Sequence, residues 1–367
     1  MITAENTDIE RLEEFLRENF RLDQRIEAIN NRKLYSLEIE LTRRCNLECI
    51  YCYNSSSRNP GIPDFDFNLL KRVLKESFDY GIRSITYLGG EPTLHPKIDE
   101  IVKFTKDIGM EEVVLYTNGT VMNERLLESI NNHVDAVVVH MDSINPDVFA
   151  NVHNIERVSS FKHFEAILKN IHWIKSSGYN SKKLRHCLTL FTTTYETLGN
   201  TLRWAIHKEG MLTSIFIPVV MVGRGSQLTQ ESLLSLDEIR TSYEIRAKIE
   251  SRPELLLLGP SEYFKQYQMT VAYVTCKGDV LSYAGINQSL GNISCESINT
   301  ILDKKYEKLS FGFAVDMFSN SKMVGKCNNC FNQSYCFGTR TSALLRADSF
   351  YISDPACWVM EEEANNE

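Results

Sequence analysis

The sequence predicts an α/β fold, namely a partial (β/α)6 TIM-like barrel followed by a small C-terminal α+β domain. Up to about residue 220, six strand-like segments alternate with amphipathic helical segments, which is typical of parallel strands joined by helical crossovers. Beyond residue 260 the pattern changes to a β-hairpin, a helix and a group of cysteines. We therefore divide the chain into an N-terminal amphipathic helix (1–32), a barrel (33–225), a helical linker (226–260) and a C-terminal domain (261–367).

The elements follow in order along the chain. Residues 1–30 predict one amphipathic helix, because apolar residues such as Ile9, Leu12 and Leu16 recur at spacings of three and four. In barrels of parallel strands, functional residues gather at the C-terminal ends of the strands, so a site is expected there. The predicted strands cover 34–41, 84–88, 112–116, 136–140, 185–192 and 214–220, and the predicted helices cover 68–80, 98–108, 124–131, 161–176, 200–207 and 297–309.

Composition limits the classes of function. The 367 residues carry a net charge of -8 with both signs interspersed, which favours neither nucleic-acid binding nor attachment to a membrane surface. The chain has no long apolar run and begins with polar and acidic residues, so neither a transmembrane helix nor a secretory signal is expected. We expect a cytoplasmic protein. Its ten cysteines then predict metal binding rather than disulfides, because cytoplasmic thiols stay reduced.

Three cysteines directly follow the first predicted strand. Cys45, Cys49 and Cys52 have the spacing Cys-x3-Cys-x2-Cys. Three thiolates cannot complete a tetrahedral zinc site, whereas a [4Fe–4S] cluster held by three thiolates keeps one iron open for a further ligand. The motif therefore predicts chemistry at an open iron. A zinc knuckle, or cysteines scattered through the core, is the alternative interpretation.

Other candidate segments end the second, third and fourth strands. Two glycines let a backbone approach a ligand closely, and a carboxylate beside them can accept hydrogen bonds from an ammonium group. An ordinary turn is the alternative for each segment. The segments are Gly89-Gly90-Glu91-Pro92, Thr117-Asn118-Gly119 and Met141-Asp142-Ser143.

Together these motifs resemble those of the radical S-adenosylmethionine (SAM) superfamily, whose members bind SAM at the open iron of a [4Fe–4S] cluster. The resemblance implies that the three cysteines hold this cluster and that Glu91 contacts the amino group of SAM. It also implies an adenine contact for Tyr51, for which simple packing is the alternative. The residues expected to bind SAM or substrate are Tyr51, Gly89, Gly90, Glu91, Pro92, Asn118, Asp142 and Ser143.

The C-terminal region carries a second cysteine motif, Cys327-x2-Cys330-x5-Cys336, followed by Cys357. Four thiolates complete a metal centre with no open position. The layout resembles the SPASM/twitch extension of radical SAM enzymes, which implies one auxiliary [4Fe–4S] cluster on these four cysteines. A structural zinc is the alternative.

The motif also departs from the family. Tyr283 and Arg340 stand where the family places cysteines, so a full second set of ligands is missing from the pattern. Cys276 and Cys295 remain as spare cysteines, and a partial second auxiliary cluster that uses them is a further alternative.

The resemblance implies reductive cleavage of SAM to a 5′-deoxyadenosyl radical, which abstracts a hydrogen atom from a substrate. The favoured substrate is a ribosomally synthesised peptide that undergoes oxidation, cross-linking or epimerisation. One alternative is a dehydrogenase, epimerase or decarboxylase of a sugar, aminocyclitol or other small molecule, and another is a non-catalytic iron–sulfur electron relay. For epimerisation, Cys187 and Cys276 are the candidate hydrogen donors.

The resemblance also implies partners. A flavodoxin or ferredoxin would supply the electron. The first thirty residues are too short for a winged-helix domain that recognises a precursor peptide, so a peptide substrate would require a separate recognition protein.

Overall fold

The computed structural model describes residues 6–219, 221–261, 263–285, 289–307, 323–336, 338–339, 343, 349 and 351–358. Within these ranges one mixed sheet forms the centre of the molecule. Its strands are β1 (Ser36–Thr42), β2 (Ser84–Gly89), β3 (Glu112–Thr117), β4 (Ala136–His140), β5 (Leu184–Leu190), β6 (Ser214–Pro218), β7 (Val271–Val274), β8 (Asp279–Leu281) and β9 (Ser289–Asn292).

The sheet is an open barrel, as predicted. Strands β1 to β6 pair in parallel with their neighbours in sequence. The order is β6-β5-β4-β3-β2-β1-β7-β8-β9, so β1 and β6 do not pair with each other and the barrel stays partial. The fold class is therefore confirmed, and all six parallel strands lie within two residues of their predicted bounds.

The helices fill the crossovers between the strands. Helices α3, α4, α5 and α7 confirm predicted elements, whereas no helix was predicted at the positions of α6 and α8. The described helices are α1 (Asn6–Phe20), α2 (Leu22–Asn30), α3 (Phe67–Tyr80), α4 (Ile98–Asp107), α5 (Glu124–His133), α6 (Pro146–His153), α7 (Arg157–Ser176), α8 (Thr192–Tyr195), α9 (Leu198–Arg203), α10 (Leu236–Glu250), α11 (Lys265–Met269) and α12 (Ile298–Glu307).

Several predicted bounds change at the later elements. The predicted helix over 200–207 is α9 followed by a π-helical turn over Trp204–Lys208. Strand β6 ends at Pro218, and Val220, predicted as strand, lies outside the described residues. The last two residues of the predicted helix 297–309 also lie outside them, as does Arg340.

The prediction of one N-terminal helix was wrong, because the chain breaks it at Arg21. This residue has a left-handed backbone with φ of 59°, which separates α1 from α2. The break places the side chain of Arg25 in the core, where it is 1% exposed. Its guanidinium donates to the carbonyl of Phe20 at 3.0 Å and to the hydroxyls of Ser36 and Thr270 at 3.0 and 2.8 Å. A single straight helix would not bring Arg25 to these acceptors.

The predicted hairpin at the start of the C-terminal region joins the barrel sheet. Strand β7 pairs in parallel with β1, from Ser36 opposite Val271 to Ile39 opposite Val274. Strands β8 and β9 then continue the sheet in antiparallel pairs. The C-terminal segment therefore extends the sheet at the edge that β1 would otherwise expose.

Successive side chains of β1 alternate between the two faces of the sheet, which places its polar side chains on one face. Leu37, Ile39 and Leu41 are fully buried in the main core, on the face that the crossover helices cover. Glu38 and Glu40 point to the opposite face, toward the interior of the barrel. Glu38 lines the cavity described below, and Glu40 is fully buried beside it.

No helix within the described ranges is long and apolar enough to cross a membrane.

Replacing Arg25 by methionine tests how firmly the N-terminal helices are attached to the barrel. We expect Arg25→Met to lower the free energy of unfolding by about 1–3 kcal/mol for each buried acceptor left without a donor. Urea denaturation measures the effect. The control is Arg17→Met, because the exposed ion pairs of Arg17 with Glu13 and Asp23 contribute at most about 1 kcal/mol. Equal losses in both variants would contradict the account.

Candidate iron–sulfur and SAM site

The three cysteines of the first motif lie on a loop over residues 43–57, the cysteine loop, which leaves the end of β1. Its two ends are joined by backbone hydrogen bonds, from Cys45 N to Ser57 O at 2.8 Å and from Ser57 N to Arg43 O at 3.3 Å. Between them, Cys52 N donates to Cys49 O at 3.1 Å. The loop is therefore an ordered segment of the backbone and not merely a connection.

Helix α6 fixes the far side of the cysteine loop. The amide of Glu48 donates to His153 O at 3.3 Å, and the amide of Ile50 donates to Val152 O at 3.0 Å. Because α6 follows β4, these bonds tie the loop to an element about one hundred residues further along the chain. No local sequence pattern indicates this contact.

The two glycines at the end of β2, Gly89 and Gly90, allow a close approach between backbones. Gly90 N donates to Thr42 O at 2.6 Å, and Glu91 N donates to Arg44 O at 2.8 Å. A Cβ atom on Gly90 would lie 2.2 Å from Arg44 O, and one on Gly89 would lie 2.4 Å from Thr42 O. Any side chain at either position would therefore push the end of β2 away from the cysteine loop.

The carboxylate of Glu91 is fully buried and accepts four hydrogen bonds from the protein. Its donors are the backbone and hydroxyl of Thr93 at 3.0 and 2.6 Å, the hydroxyl of Thr117 at 2.7 Å and the amide of Asn118 at 2.6 Å. Burial raises the pKa of this carboxyl group, and the donated hydrogen bonds oppose that rise. Glu91 thus joins the end of β2 to the end of β3, and its predicted contact with an ammonium group stays a prediction.

Asn118 connects the end of β3 to the cysteine loop. Its side-chain amide donates to Asn46 Oδ1 at 2.9 Å and lies 3.9 Å from the sulfur of Cys45. The sulfur itself accepts from the amide of Leu47 at 3.5 Å. Burial raises the pKa of the Cys45 thiol to about 12, so a bound metal must supply the positive charge that stabilises its thiolate.

A buried polar network connects Tyr51 of the cysteine loop to the end of β4. The Tyr51 hydroxyl donates to the carboxylate of Asp142 and lies 2.7 Å from Nε2 of His140. The same nitrogen lies 3.0 Å from Asp142 Oδ1, which also accepts from the amide of Thr189 at 2.8 Å. His153 contributes a second imidazole nitrogen, 3.4 Å from Asp142 Oδ2. Asp142 therefore holds the loop, two strands and α6 together.

The charges in this network stabilise each other. Burial alone would lower the pKa of His140, but Asp142 and Cys187 beside it raise that pKa well above its usual range. Burial would raise the pKa of Asp142, yet the neighbouring imidazoles of His140 and His153 lower it far below its usual range. We assign a carboxylate at Asp142 and an imidazolium at His140 at neutral pH.

The three cysteines face a cavity of about 260 Å³ at the C-terminal ends of the strands. Of the other predicted site residues, Tyr51, Gly89, Gly90, Pro92 and Asn118 also line it. Glu91, Asp142 and Ser143 are fully buried behind this lining. The hydroxyl of Ser143 contacts the hydroxyl of Thr197 at 2.7 Å, so Ser143 helps to hold α8 and α9 in place.

Neither candidate hydrogen donor lines the cavity. Cys187 is fully buried, with its sulfur 3.3 Å from Nδ1 of His140. Cys276 donates to Glu40 Oε1 at 2.9 Å, and burial raises the pKa of its thiol to about 12. Cys295, the other spare cysteine, is exposed. Neither thiol reaches the cavity directly, and hydrogen donation by Cys187 or Cys276 stays a prediction.

The fold brings the four cysteines of the second motif into one region. Residues 324 and 352 pair across an isolated bridge, and Cys327 N donates to Ser353 Oγ at 2.9 Å, so the two ends of the motif meet. Cys336 lies close to the other three thiols. Burial raises the pKa of Cys336, and the proximity of Cys357, Cys327 and Cys330 raises it further.

Sets of three and four thiolates are compatible with iron–sulfur clusters, and a single metal ion on the second set stays the alternative. In the described part of the chain, no three cysteine, histidine, aspartate or glutamate side chains converge on one ion. The thiolates of a cluster bind different iron atoms and lie further apart than the ligands of one ion. Three sulfurs lining one cavity fit a cluster with an open iron, and four neighbouring thiols fit a closed one.

Two residues of the site, Arg224 and His153, were not predicted from the sequence. Arg224, just after β6, donates from its guanidinium to Cys49 O at 2.9 Å and to Ser56 O at 2.7 Å. His153 had no recognisable motif around it, and its role follows only from the position of α6. The sequence signal for Arg224 was weak, since Gly223-Arg224-Gly225 reads as an ordinary turn.

The fold and the cysteine loop define an open α/β barrel protein with three cysteines gathered at the end of its first strand. Residues 39–205 match the family model of the Radical SAM superfamily. This part of the chain is similar to a radical SAM domain, and that family implies SAM and a [4Fe–4S] cluster.

Several curated relatives are named GTP 3′,8-cyclase. The probable GTP 3′,8-cyclase of Sulfolobus acidocaldarius is 29% identical over 161 residues, which cover 44% of this chain and 49% of that protein. That of Methanocella arvoryzae is 35% identical over 118 residues, 32% of this chain and 38% of that protein. The chain thus spans half or less of the length of these two relatives. The enzyme of Heliobacterium modesticaldum is 26% identical over 247 residues, 63% of this chain and 69% of that protein.

Solved structures with the same fold include two that contain peptides. Streptococcus suis SuiB bound to the precursor peptide SuiA has a TM-score of 0.65 at 16% identity, covering 92% of this chain and 79% of that one. The protein anSMEcpe with bound AdoMet and the Cp18Cys peptide has a TM-score of 0.64 at 16% identity, covering 87% of this chain and 92% of that one. At these identities the likeness is one of fold.

Replacing Gly90 by alanine tests the close approach of β2 to the cysteine loop. We expect Gly90→Ala to lower the free energy of unfolding by about 1–3 kcal/mol, because the new Cβ overlaps Arg44 O. The protein should also bind less iron after anaerobic reconstitution. The control is Gly199→Ala, whose Cβ meets only side-chain atoms beyond 3.4 Å. Unchanged iron content in Gly90→Ala would show that the approach is not needed.

Asp142→Asn tests the buried network at the end of β4. The variant should lose about 1–3 kcal/mol of stability for each buried group left without its partner. A histidine with a raised folded pKa stabilises the protein fully below its unfolded pKa of about 6.5, and this contribution disappears as the pH rises through the folded value. The difference between wild type and Asp142→Asn should therefore be larger at pH 6 than at high pH.

Urea denaturation of both metal-free proteins across this pH range measures the difference. Asp147→Asn is the matched control, because Asp147 makes only an exposed ion pair with Arg157. A difference that is constant with pH would refute the assignment of an imidazolium at His140.

Proposed function

We propose that this protein is a radical SAM enzyme that modifies a peptide. The observation that carries the proposal is the position of Cys45, Cys49 and Cys52 around a cavity that the glycines at the end of β2 also line. When bound, the cluster and SAM supply the electron transfer and the 5′-deoxyadenosyl radical that abstracts hydrogen from the substrate.

The residues of the chain bind and orient these groups. The three cysteines would hold the site cluster. The half-buried backbone of Gly89 and Gly90 lines the cavity and would contact the amino group of SAM, while Glu91 joins this segment to Asn118. Asn118 and Tyr51 line the cavity beside the cysteines and would contact SAM or substrate. Asp142 and Ser143 would act through the residues they position.

The apolar part of the cavity wall supports a substrate with an uncharged carbon centre. Leu47, Leu88, Ile217 and four tyrosines contribute apolar surface, and the lining also includes the ionisable residues Glu38, His140 and His153. Among the described lining residues, Arg224 is the one with a permanent positive charge, and its guanidinium already binds two carbonyls of the cysteine loop. A peptide side chain or another uncharged carbon centre suits such a surface.

Cyclisation of GTP is the second candidate, and the names of the relatives favour it. A triphosphate requires several cationic or backbone donors. The described lining offers no cluster of lysine or arginine side chains for this purpose. The cavity therefore favours the peptide over GTP. Oxidation of a sugar or aminocyclitol remains compatible with this lining.

The proposal also includes one auxiliary [4Fe–4S] cluster. Its four ligands would be Cys327, Cys330, Cys336 and Cys357. A closed cluster next to the barrel is suited to accept an electron from the substrate rather than to bind SAM. A flavodoxin or ferredoxin would be the reductant of the site cluster. A separate recognition protein would present a precursor peptide.

Anaerobic incubation with SAM and dithionite tests the proposed function. We expect the reconstituted protein to release 5′-deoxyadenosine, and Cys45→Ala to release none, because two thiolates cannot retain the site cluster. Cys295→Ala, which changes an exposed cysteine, is the control and should match wild type. Iron analysis of Cys45→Ala should still find the iron of the auxiliary cluster.

The substrate is tested in the same assay. Short peptides encoded beside the gene should increase 5′-deoxyadenosine release and gain a mass change, whereas GTP should do neither. A product from GTP would establish the second candidate. No release of 5′-deoxyadenosine from protein with full iron content would instead support the electron relay and overturn the enzyme.

A further inference from the structure

The segment after β6 holds the cysteine loop through Arg224. The backbone amide of Arg224 donates to Cys52 O at 2.9 Å. Its guanidinium donates to Cys49 O at 2.9 Å and to Ser56 O at 2.7 Å. One residue thus satisfies three carbonyls, two of which belong to cysteines of the motif. Buried carbonyls of an irregular loop need such donors, because they have no strand partner.

Gly223 allows this contact. It has a φ of 58°, and a Cβ atom there would lie 2.3 Å from Tyr53 O and 2.5 Å from Cys52 O. The backbone of the segment therefore lies directly against the backbone of the loop. Only glycine fits this position without moving one of the two segments.

The same segment forms a wall of the cavity. Ile217, Pro218 and Val219 line the cavity, and so does Arg224, five residues further along the chain. A ligand packed against these three residues touches the chain segment that also binds the carbonyls of Cys49 and Cys52. The cavity wall and the cysteine loop are therefore mechanically connected through Arg224.

Arg224 acts on the cysteine loop through its positive charge in addition to its hydrogen bonds. A guanidinium stays charged at all physiological pH values and binds in a planar fork. Reduction adds a negative charge to an iron–sulfur cluster, and the reduction potential depends on nearby charges and hydrogen bonds. A fixed positive charge at the carbonyl of a ligand cysteine favours the reduced state.

We propose that Arg224 is a positioning residue that joins the cavity wall to the cysteine loop, setting the reduction potential of the site cluster and its response to SAM. The inference rests on the proposed site cluster. It concerns neither the substrate nor the outcome of the reaction.

Two variants separate the charge from the hydrogen bonds. Arg224→Gln removes the charge, so the site cluster should have a more negative midpoint potential than in wild type. Arg224→Lys keeps the charge but lacks the planar fork, so the potential should stay near that of wild type. Both variants should lose iron to a chelator about five- to tenfold faster, because bonds to the loop carbonyls are lost. Ser226→Ala, in the same segment, is the matched control.

The readouts are iron and sulfide content, the midpoint potential and the change in the electron paramagnetic resonance spectrum when SAM is added. Only a cluster with an open iron responds to SAM, so this difference spectrum isolates the site cluster. We expect the SAM-induced change to be reduced in Arg224→Gln and retained in Ser226→Ala. Wild-type potential, iron retention and response to SAM in both Arg224 variants would overturn the inference.

These readouts do not depend on turnover. If the wild-type protein holds a cluster that responds to SAM yet never releases 5′-deoxyadenosine, the proposed function fails while the comparison of Arg224 variants still decides this inference. If Arg224→Gln is too unstable to purify, Arg224→Lys still tests the inference. For Arg224→Lys we expect faster loss of iron at an unchanged midpoint potential.

Discussion

The hydrogen bonds that fix the cysteine loop are the constraint on which the rest of the site depends. Three thiolates can hold a cluster only if the backbone presents them together, and the loop has no regular secondary structure of its own. Four contacts therefore fix the loop. Glu91 at the end of β2 and Arg224 after β6 donate hydrogen bonds to its carbonyls, and Gly90 donates to Thr42 directly before it. The loop in turn donates to the last carbonyls of α6 and, from Tyr51, to Asp142. Each of these contacts joins distant parts of the chain, so the barrel must form before the site is complete.

Most of the fold was predictable because its signals are local. Strand β1 alternates Leu37, Ile39 and Leu41 with polar residues, and the crossover helices repeat their apolar residues at helical spacing. The position of the cysteines at the end of a barrel strand was also predictable, because parallel strands place their C-terminal ends on one side. The helix break at Arg21 was not predictable, because a left-handed backbone at an arginine has no sequence signature. The break is stabilised instead by the contacts of Arg25 with Ser36 and Thr270.

The arrangement around the site was less predictable than its members. The motif Gly89-Gly90-Glu91-Pro92 indicated a close backbone approach, but the partner of that approach is the backbone of Thr42 and Arg44. Glu91, Asp142 and Ser143 are part of the site, yet they lie behind the cavity lining and position other residues. Sequence spacing shows which strand end carries a residue, whereas the direction of its side chain depends on tertiary contacts such as those of His140 and Tyr51. Pairing of β7 with β1 is likewise a long-range event with no local signal.

The central claim is that the protein itself holds the cysteine loop in place, before any metal binds. Hydrogen exchange of backbone amides in the metal-free protein tests this most directly, residue by residue. The account predicts slow exchange for the amides of Cys45, Ile50, Gly90 and Arg224, at rates comparable with those of the strands β1 and β2. Exchange of these amides at the rate of an unstructured chain, while the strands stay protected, would contradict it.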